Sequence, residues 1–142
     1  MGIIEGTLVK VLSGQVKGGY GVASKHLKHV MHLIQARTGI GPLVAGTFNL
    51  GLKMPYYIVN PDAQIERDEY NKVEFIKLQR CRIGGVQALI MRPNTHEEGF
   101  AHGPAHIELL STVMLRSHLG VKDGNVVSVE VEGDELWWSG AK

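Results

Sequence analysis

Across 142 residues the chain carries 15 basic and 14 acidic side chains, with 44% hydrophobic and 20% charged residues, the composition of one ordinary globular domain. That balance supplies no field for gathering polyanions, so a nucleic-acid partner is not expected; no run of ~18 apolar residues offers a membrane span, so no membrane partner is expected either. Cys81 is the lone cysteine, which excludes an intrachain disulfide and points to a reducing, cytoplasmic setting.

The 18 glycines, scattered singly and in pairs, favour many tight turns and hence a strand-rich fold. Ile3 to Val11 reads as a first strand. It breaks at Ser13 to Tyr20, where Gly14, Gly18 and Gly19 make a loop of a size to receive a phosphate. Leu27, Val30, Met31 and Ile34 recur at helical spacing, so a helix runs from a Ser24 cap to about Arg37, and Gly39 stops it. In Gly46 to Leu52, GTFNLGL, the residues Phe48, Leu50 and Leu52 alternate as a half-buried strand requires; Thr47 and Asn49 therefore share the other face. Tyr56 to Val59 reads as a short strand ending at the turn Asn60-Pro61-Asp62. Residues 63–71 are polar and take no definite assignment.

Val73 to Ile83 and Val86 to Met91 flank Gly84-Gly85, a two-residue hairpin loop with positive φ angles. Pro93-Asn94 leads into THEEGFAHGPAH, a polar segment that reads as an ordered functional loop. Ile107 to Leu110 reads as a strand, Thr112 to Leu119 as a short helix, and Gly120 to Gly124 as a turn into the strand Asn125 to Val131. Residues 1–134 form one domain and 135–142 a tail. Many short strands without a long edge strand favour closure, so the fold class is mainly β: a barrel with one or two short helices.

Several side chains are chemically conspicuous. The Thr47 hydroxyl and Asn49 amide oxygen are hard, neutral donors on one strand face, suited to Mg²⁺ whose other ligands are waters and phosphates, or else simply the polar face of a strand. Glu108 lies on an apolar segment, where a carboxylate needs a partner, unless it sits on an exposed edge strand. His29 and His32 share a helix face with Lys25 and Lys28, which a solvated basic face explains; a metal there would need a third ligand from elsewhere. His96, His102 and His106 lie close together in the polar loop, where imidazole and carboxylate ligands could converge on a transition metal, although their spacing matches no motif.

Taken together, Ile3 to Gly6 (IIEG), Ser13-Gly14 with Lys17 to Tyr20 (KGGY), Gly46 to Leu50 (GTFNL), Thr95-His96 and the block Glu108 to Val127 resemble the archaeal CTP-dependent riboflavin kinase family. The resemblance spans nearly the full length, and GTFNL and the end block LR…KDG are its most specific pieces. It implies a compact six-stranded cradle-loop barrel. It also implies transfer of the γ-phosphate of CTP to the terminal ribityl hydroxyl of riboflavin, giving FMN and CDP with Mg²⁺ as cofactor. On the matching positions, Thr47 and Asn49 would carry the metal, and Glu108 would contact the ribityl chain and orient or deprotonate its hydroxyl. Thr95 would bond the flavin edge, or cap its own loop. Gly14, Gln15, Val16, Lys17, Gly18, Gly19 and Tyr20 would hold the nucleotide together with Ser111, Thr112, Val113 and Met114.

The chain departs from the family in two places. Val16 stands where a G-x-G-x-G arrangement has its middle glycine, so a phosphate loop here takes another path or binds another group. Ser111 and Thr112 replace an Ala-Pro pair, which leaves main-chain recognition of a base as the surviving mode. These departures keep open a non-catalytic flavin- or nucleotide-binding relative. The end block also resembles swapped-hairpin barrels, some of which bind DNA. Trp137 and Trp138 would cover a barrel seam, or one of them would stack on a flavin.

Overall fold

The computed structural model of the chain describes residues 9–18, 27–44, 46–100, 103–133 and 138. Seven strands form one antiparallel sheet: β1 (Lys10–Lys17), β2 (Phe48–Leu52), β3 (Ala63–Ile65), β4 (Ile76–Ile83), β5 (Val86–Pro93), β6 (His106–Ser111) and β7 (Val126–Val131). Their order is β3-β4-β5-β6-β2-β1-β7, and β7 returns to pair with β4. Six strands thus close into a barrel. The remaining strand, β3, pairs with Ile76–Leu78 on the same edge of β4 that β7 meets at Cys81–Ile83.

Strand periodicity sorts the side chains into two layers. Val16, Leu50, Ile107, Ile90, Cys81 and Val129 point inward and form the barrel core. Leu78, Leu89, Met91 and Leu110 point outward and are covered by Leu27, Val30 and Ile34 of the helical segment. That segment is a 3₁₀ turn, Lys28–Val30, followed by α1 (Met31–Thr38). Gly39 ends it with φ +76°, its N–H bonded to the Gln35 carbonyl, which is the stop the sequence predicts. Ser24 lies outside the described residues. Trp138 belongs to this outer layer, where the Arg80 guanidinium stacks 5.0 Å from its ring, as a seam-covering residue would; Trp137 lies outside the described residues.

The Gly84-Gly85 hairpin is also as predicted, with φ of 56° and 78°. Other elements differ. Ser13 to Lys17 belongs to β1 and is not a loop, because Leu12, Gly14 and Val16 alternate inward. Gly14 stands there for closeness: a Cβ would come 3.0 Å from the Leu50 Cβ. The predicted strand at Tyr56–Val59 is irregular, since the Tyr56 and Ile58 N–H groups bond the Pro104 carbonyl and the Glu97 carboxylate instead of a ladder. The unassigned 63–71 stretch holds β3 and a 3₁₀ turn, Arg67–Glu69, closed by a capping box between Glu66 and Glu69. The strand predicted from Val73 begins at Ile76. The polar loop opens with a helical turn, α2 (Asn94–Glu97), and the last helix, α3, is only Leu115–Leu119.

One buried polar cluster braces the loop that carries Thr95. Arg92, fully buried at the end of β5, donates to the carbonyls of Tyr56, Pro104 and His106 and pairs with Glu97 at 3.1 Å. Lys77 reaches the other Glu97 oxygen at 2.7 Å. These bonds hold α2 against the barrel end; burial, the larger effect, pushes the Arg92 pKa down, and Glu97 opposes it.

Candidate active site

Strand register brings the predicted residues together. Lys17 pairs with Asn49, Asn49 with Glu108, and Glu108 with Met91, so the four form one row across β1, β2, β6 and β5. Met91 belongs to the outer layer; directly opposed residues share a face, so the row lies on the outside of the barrel. Thr47, one residue before β2, falls on that face too, and its Oγ1 donates to Glu108 Oε1 at 3.3 Å. Asn49 is 7% exposed, and its carboxamide makes no hydrogen bond among the described residues. Glu108 is no edge-strand residue, since β6 lies between β2 and β5.

Two residues that the sequence did not mark complete this face. Thr95 Oγ1 donates to the Glu74 carboxylate, and Glu74 and Glu108 both act on the Tyr70 phenol. Burial, then these two carboxylates, push the Tyr70 pKa up, because each disfavours a phenolate. Tyr70 is fixed from behind: its ring stacks on His29 at 5.7 Å and 6°, and His29 Nε2 donates to the Tyr70 carbonyl at 2.7 Å. His29 is exposed together with Lys28 and His32, as the solvated face predicts, and has Tyr70 as a partner besides; Lys25 lies outside the described residues. Tyr70 sits in the unassigned polar stretch and Glu74 near the start of the predicted Val73 to Ile83 strand, so their convergence with Thr95 and Glu108 becomes visible only in the fold.

Beside the row, at the barrel mouth, a cavity of about 140 Å³ opens between residues 44–48 and 109–116. Thr47, Ser111, Val113, Met114 and Arg116 line it. Ser111 is buried and its carbonyl receives the Val44 N–H at 2.9 Å, which pins the two walls together. Thr112 is exposed and does not line it. The glycine segment does not line it either. Gly14 and Val16 are buried within β1, whereas Gln15 and Lys17 border a separate outer groove of about 310 Å³ with Gly51 and Lys53. The Lys17 ammonium lies 3.4 Å from Gln15 Oε1, turned along the strand. Gly18 ends the described part of this segment; Gly19 and Tyr20 lie outside it.

His96 and His106 pack edge to face at 6.4 Å, and His102 lies outside the described residues. Among the described residues, no group of three or more His, Cys, Asp or Glu is arranged to hold a metal ion. Nor is any helix among them long and apolar enough to cross a membrane.

Residues 11–131 match a family model named CTP-dep_RFKase and described as a domain of unknown function, DUF120. A riboflavin kinase of Pyrobaculum arsenaticum is 33% identical over 134 residues, covering 86% of this chain and 58% of that protein. One of Methanocella arvoryzae is 29% identical over 126 residues, covering 87% and 55%. In one of Archaeoglobus fulgidus, 57 residues are 44% identical, covering 39% and 22%. The chain therefore spans less than three-fifths of the length of these relatives.

Proposed function

The chain belongs to the CTP-dependent riboflavin kinase family, and from that premise we propose that it transfers the γ-phosphate of CTP to the terminal ribityl hydroxyl of riboflavin, yielding FMN and CDP. One observation carries this reading: Thr47 both lines the mouth cavity and bonds Glu108 on the outer row. A nucleotide in the cavity and a flavin on the Thr95–Glu74–Tyr70 face would therefore meet at Thr47, Asn49 and Glu108. Phosphoryl transfer requires that convergence, since positioning and charge stabilisation supply most of its acceleration.

Each residue then has a task. Glu108 accepts the proton as the ribityl oxygen bonds to the γ-phosphorus and the bond to the β-phosphate oxygen breaks, releasing CDP. Thr47 keeps that carboxylate oriented through its hydroxyl. The Glu74 and Tyr70 pair with Thr95 presents polar groups to the flavin end of the substrate. Asn49 brings an amide oxygen, unbonded among the described residues, to the face that carries the Thr47 and Glu108 oxygens, a donor set that fits Mg²⁺. Thr47 and Asn49 would hold the ion, which when bound would neutralise charge on the transferred phosphate. In the irregular Thr112 to Met114 segment the Val113 N–H is taken by Ser111 Oγ and the Met114 carbonyl by the His118 N–H, so the remaining main-chain groups would meet a base edge. Val16 packs inside the barrel, so its branch bears on core packing and lends no weight to a non-catalytic relative. A cytoplasmic location goes with this reading, resting on the lone, buried Cys81.

The test is to incubate the protein with riboflavin, Mg²⁺ and each nucleoside triphosphate in turn, and to separate flavins by chromatography. FMN should form fastest with CTP and cease with a chelator. A folded protein that yields no FMN with any triphosphate overturns the proposal.

A further inference from the structure

Beside Thr95 stands the Glu74 carboxylate, half-buried and held from both sides. Asn71 Nδ2 donates to Glu74 Oε1 at 3.0 Å, and the Thr95 hydroxyl donates to Oε2. The same asparagine closes the turn that leads to it: Asn71 Oδ1 accepts the N–H groups of Val73 and Glu74 at 3.0 and 2.7 Å. Within that turn Lys72 takes φ +68°, a strained conformation for a lysine. On the far side, buried Asn94 clamps Phe75 at two points: its N–H donates to the Phe75 carbonyl and its Oδ1 accepts the Phe75 N–H, both at 3.0 Å. Phe75 follows Glu74 and Asn94 precedes Thr95, so the clamp sets the carboxylate against the hydroxyl.

A group held this firmly loses little freedom when it binds, and its chemistry limits what it can bind. An ionised carboxylate only accepts hydrogen bonds, and each Glu74 oxygen, with one donor engaged, has a further lone pair. The amide and hydroxyl hydrogens already aimed at those oxygens repel a cation, so a neutral N–H fits better. Donors also flank the acceptor. Asn71 Nδ2 has a second hydrogen, and burial, then Glu74 and Glu108, keep the Tyr70 phenol protonated. An acceptor between two donors is the complement of an N–H between two carbonyls. The isoalloxazine ring presents that pattern once, at N3.

Resting on the kinase reading, we propose that Glu74 determines specificity for the flavin ring: its carboxylate accepts the N3–H, while Asn71 and Tyr70 donate to the carbonyls on either side. The ribityl chain then runs from this edge of the face toward Glu108, and a ring without the N3 hydrogen leaves the carboxylate without its donor.

Quenching of flavin fluorescence measures binding without nucleotide or turnover. The parent should bind riboflavin about 10- to 100-fold more tightly than 3-methylriboflavin, in which a methyl group replaces the N3 hydrogen. E74A should weaken riboflavin about 10- to 100-fold and bring the two flavins within about threefold of each other, a collapse of discrimination that a merely structural role would not produce. E74Q, isosteric with the parent, serves where E74A does not fold, and should narrow the ratio at least about threefold. Equal affinity of the parent for both flavins, unchanged riboflavin affinity in E74A, or a ratio that survives in the variants overturns the assignment of Glu74. A parent that binds neither flavin removes both proposals. A parent that discriminates as expected but makes no FMN removes the kinase reading alone, and one that makes FMN without preferring riboflavin removes the Glu74 proposal alone.

Discussion

Asn49 sits in a strand interior, nine-tenths buried, with its carboxamide unbonded among the described residues. Neither polar atom of that side chain is fully buried, so the amide keeps contact with water, and no intramolecular bond among the described residues depends on it. Asn49→Leu, similar in size, should therefore hold or raise the melting temperature while lowering FMN formation at least about 100-fold, the loss expected when a group that stabilises transferred charge is removed. Parallel thermal melts and turnover assays check both halves; full activity in the variant would remove Asn49 from the site. The pairing of Thr47 with Asn49 was legible because strand periodicity alone puts alternate residues on one face. Their link to Glu108 depends on the β2–β6 register, and Tyr70 and Glu74 arrive through tertiary contacts that no local spacing encodes.

At the scale of elements, α1 is tied to the turn before Tyr70 by Arg37, whose guanidinium grips both Glu69 oxygens and the Gln64 carbonyl. Arg37, then the Glu66 N–H, holds the Glu69 pKa down at about 2, against 4.5 ordinarily. A depressed acid pKa stabilises the fold fully above the ordinary value, and that contribution fades as pH falls from about 4.5 to about 2. Glu69→Gln should thus lower the melting temperature at neutral pH, and the gap from the parent should close by about pH 2. Melts recorded across that range decide it; a gap that persists at the acid end contradicts the tie. The helix and the Gly84-Gly85 hairpin were readable because their signals are local: apolar spacing, a left-handed stop and a two-residue turn. The end of the first strand was misread because glycine marks both turns and close approaches; its predicted start, Ile3 to Leu8, lies outside the described residues. At Gly14 the cause is the Leu50 side chain, supplied by a strand more than thirty residues away in sequence.

For the whole molecule, closure was inferable from many short strands, but which strands meet was not. The β4–β7 junction that completes the barrel joins Cys81 with Val131 and Ile83 with Val129, contacts about fifty residues apart. That closure sets the functional geometry. It leaves the β1–β2–β6–β5 row on the outside, the cavity at the mouth, and Thr47 where the two meet. It also creates a competing surface, the groove over Gln15, Lys17, Gly51 and Lys53. A crystal structure with CDP, Mg²⁺ and FMN bound separates the two most directly. The base should lie in the mouth cavity, with the FMN phosphate against Thr47, Asn49 and Glu108 and the flavin ring toward Thr95 and Tyr70. Nucleotide or flavin found instead along the β1–β2 groove, with Asn49 and Glu108 untouched, would contradict the account.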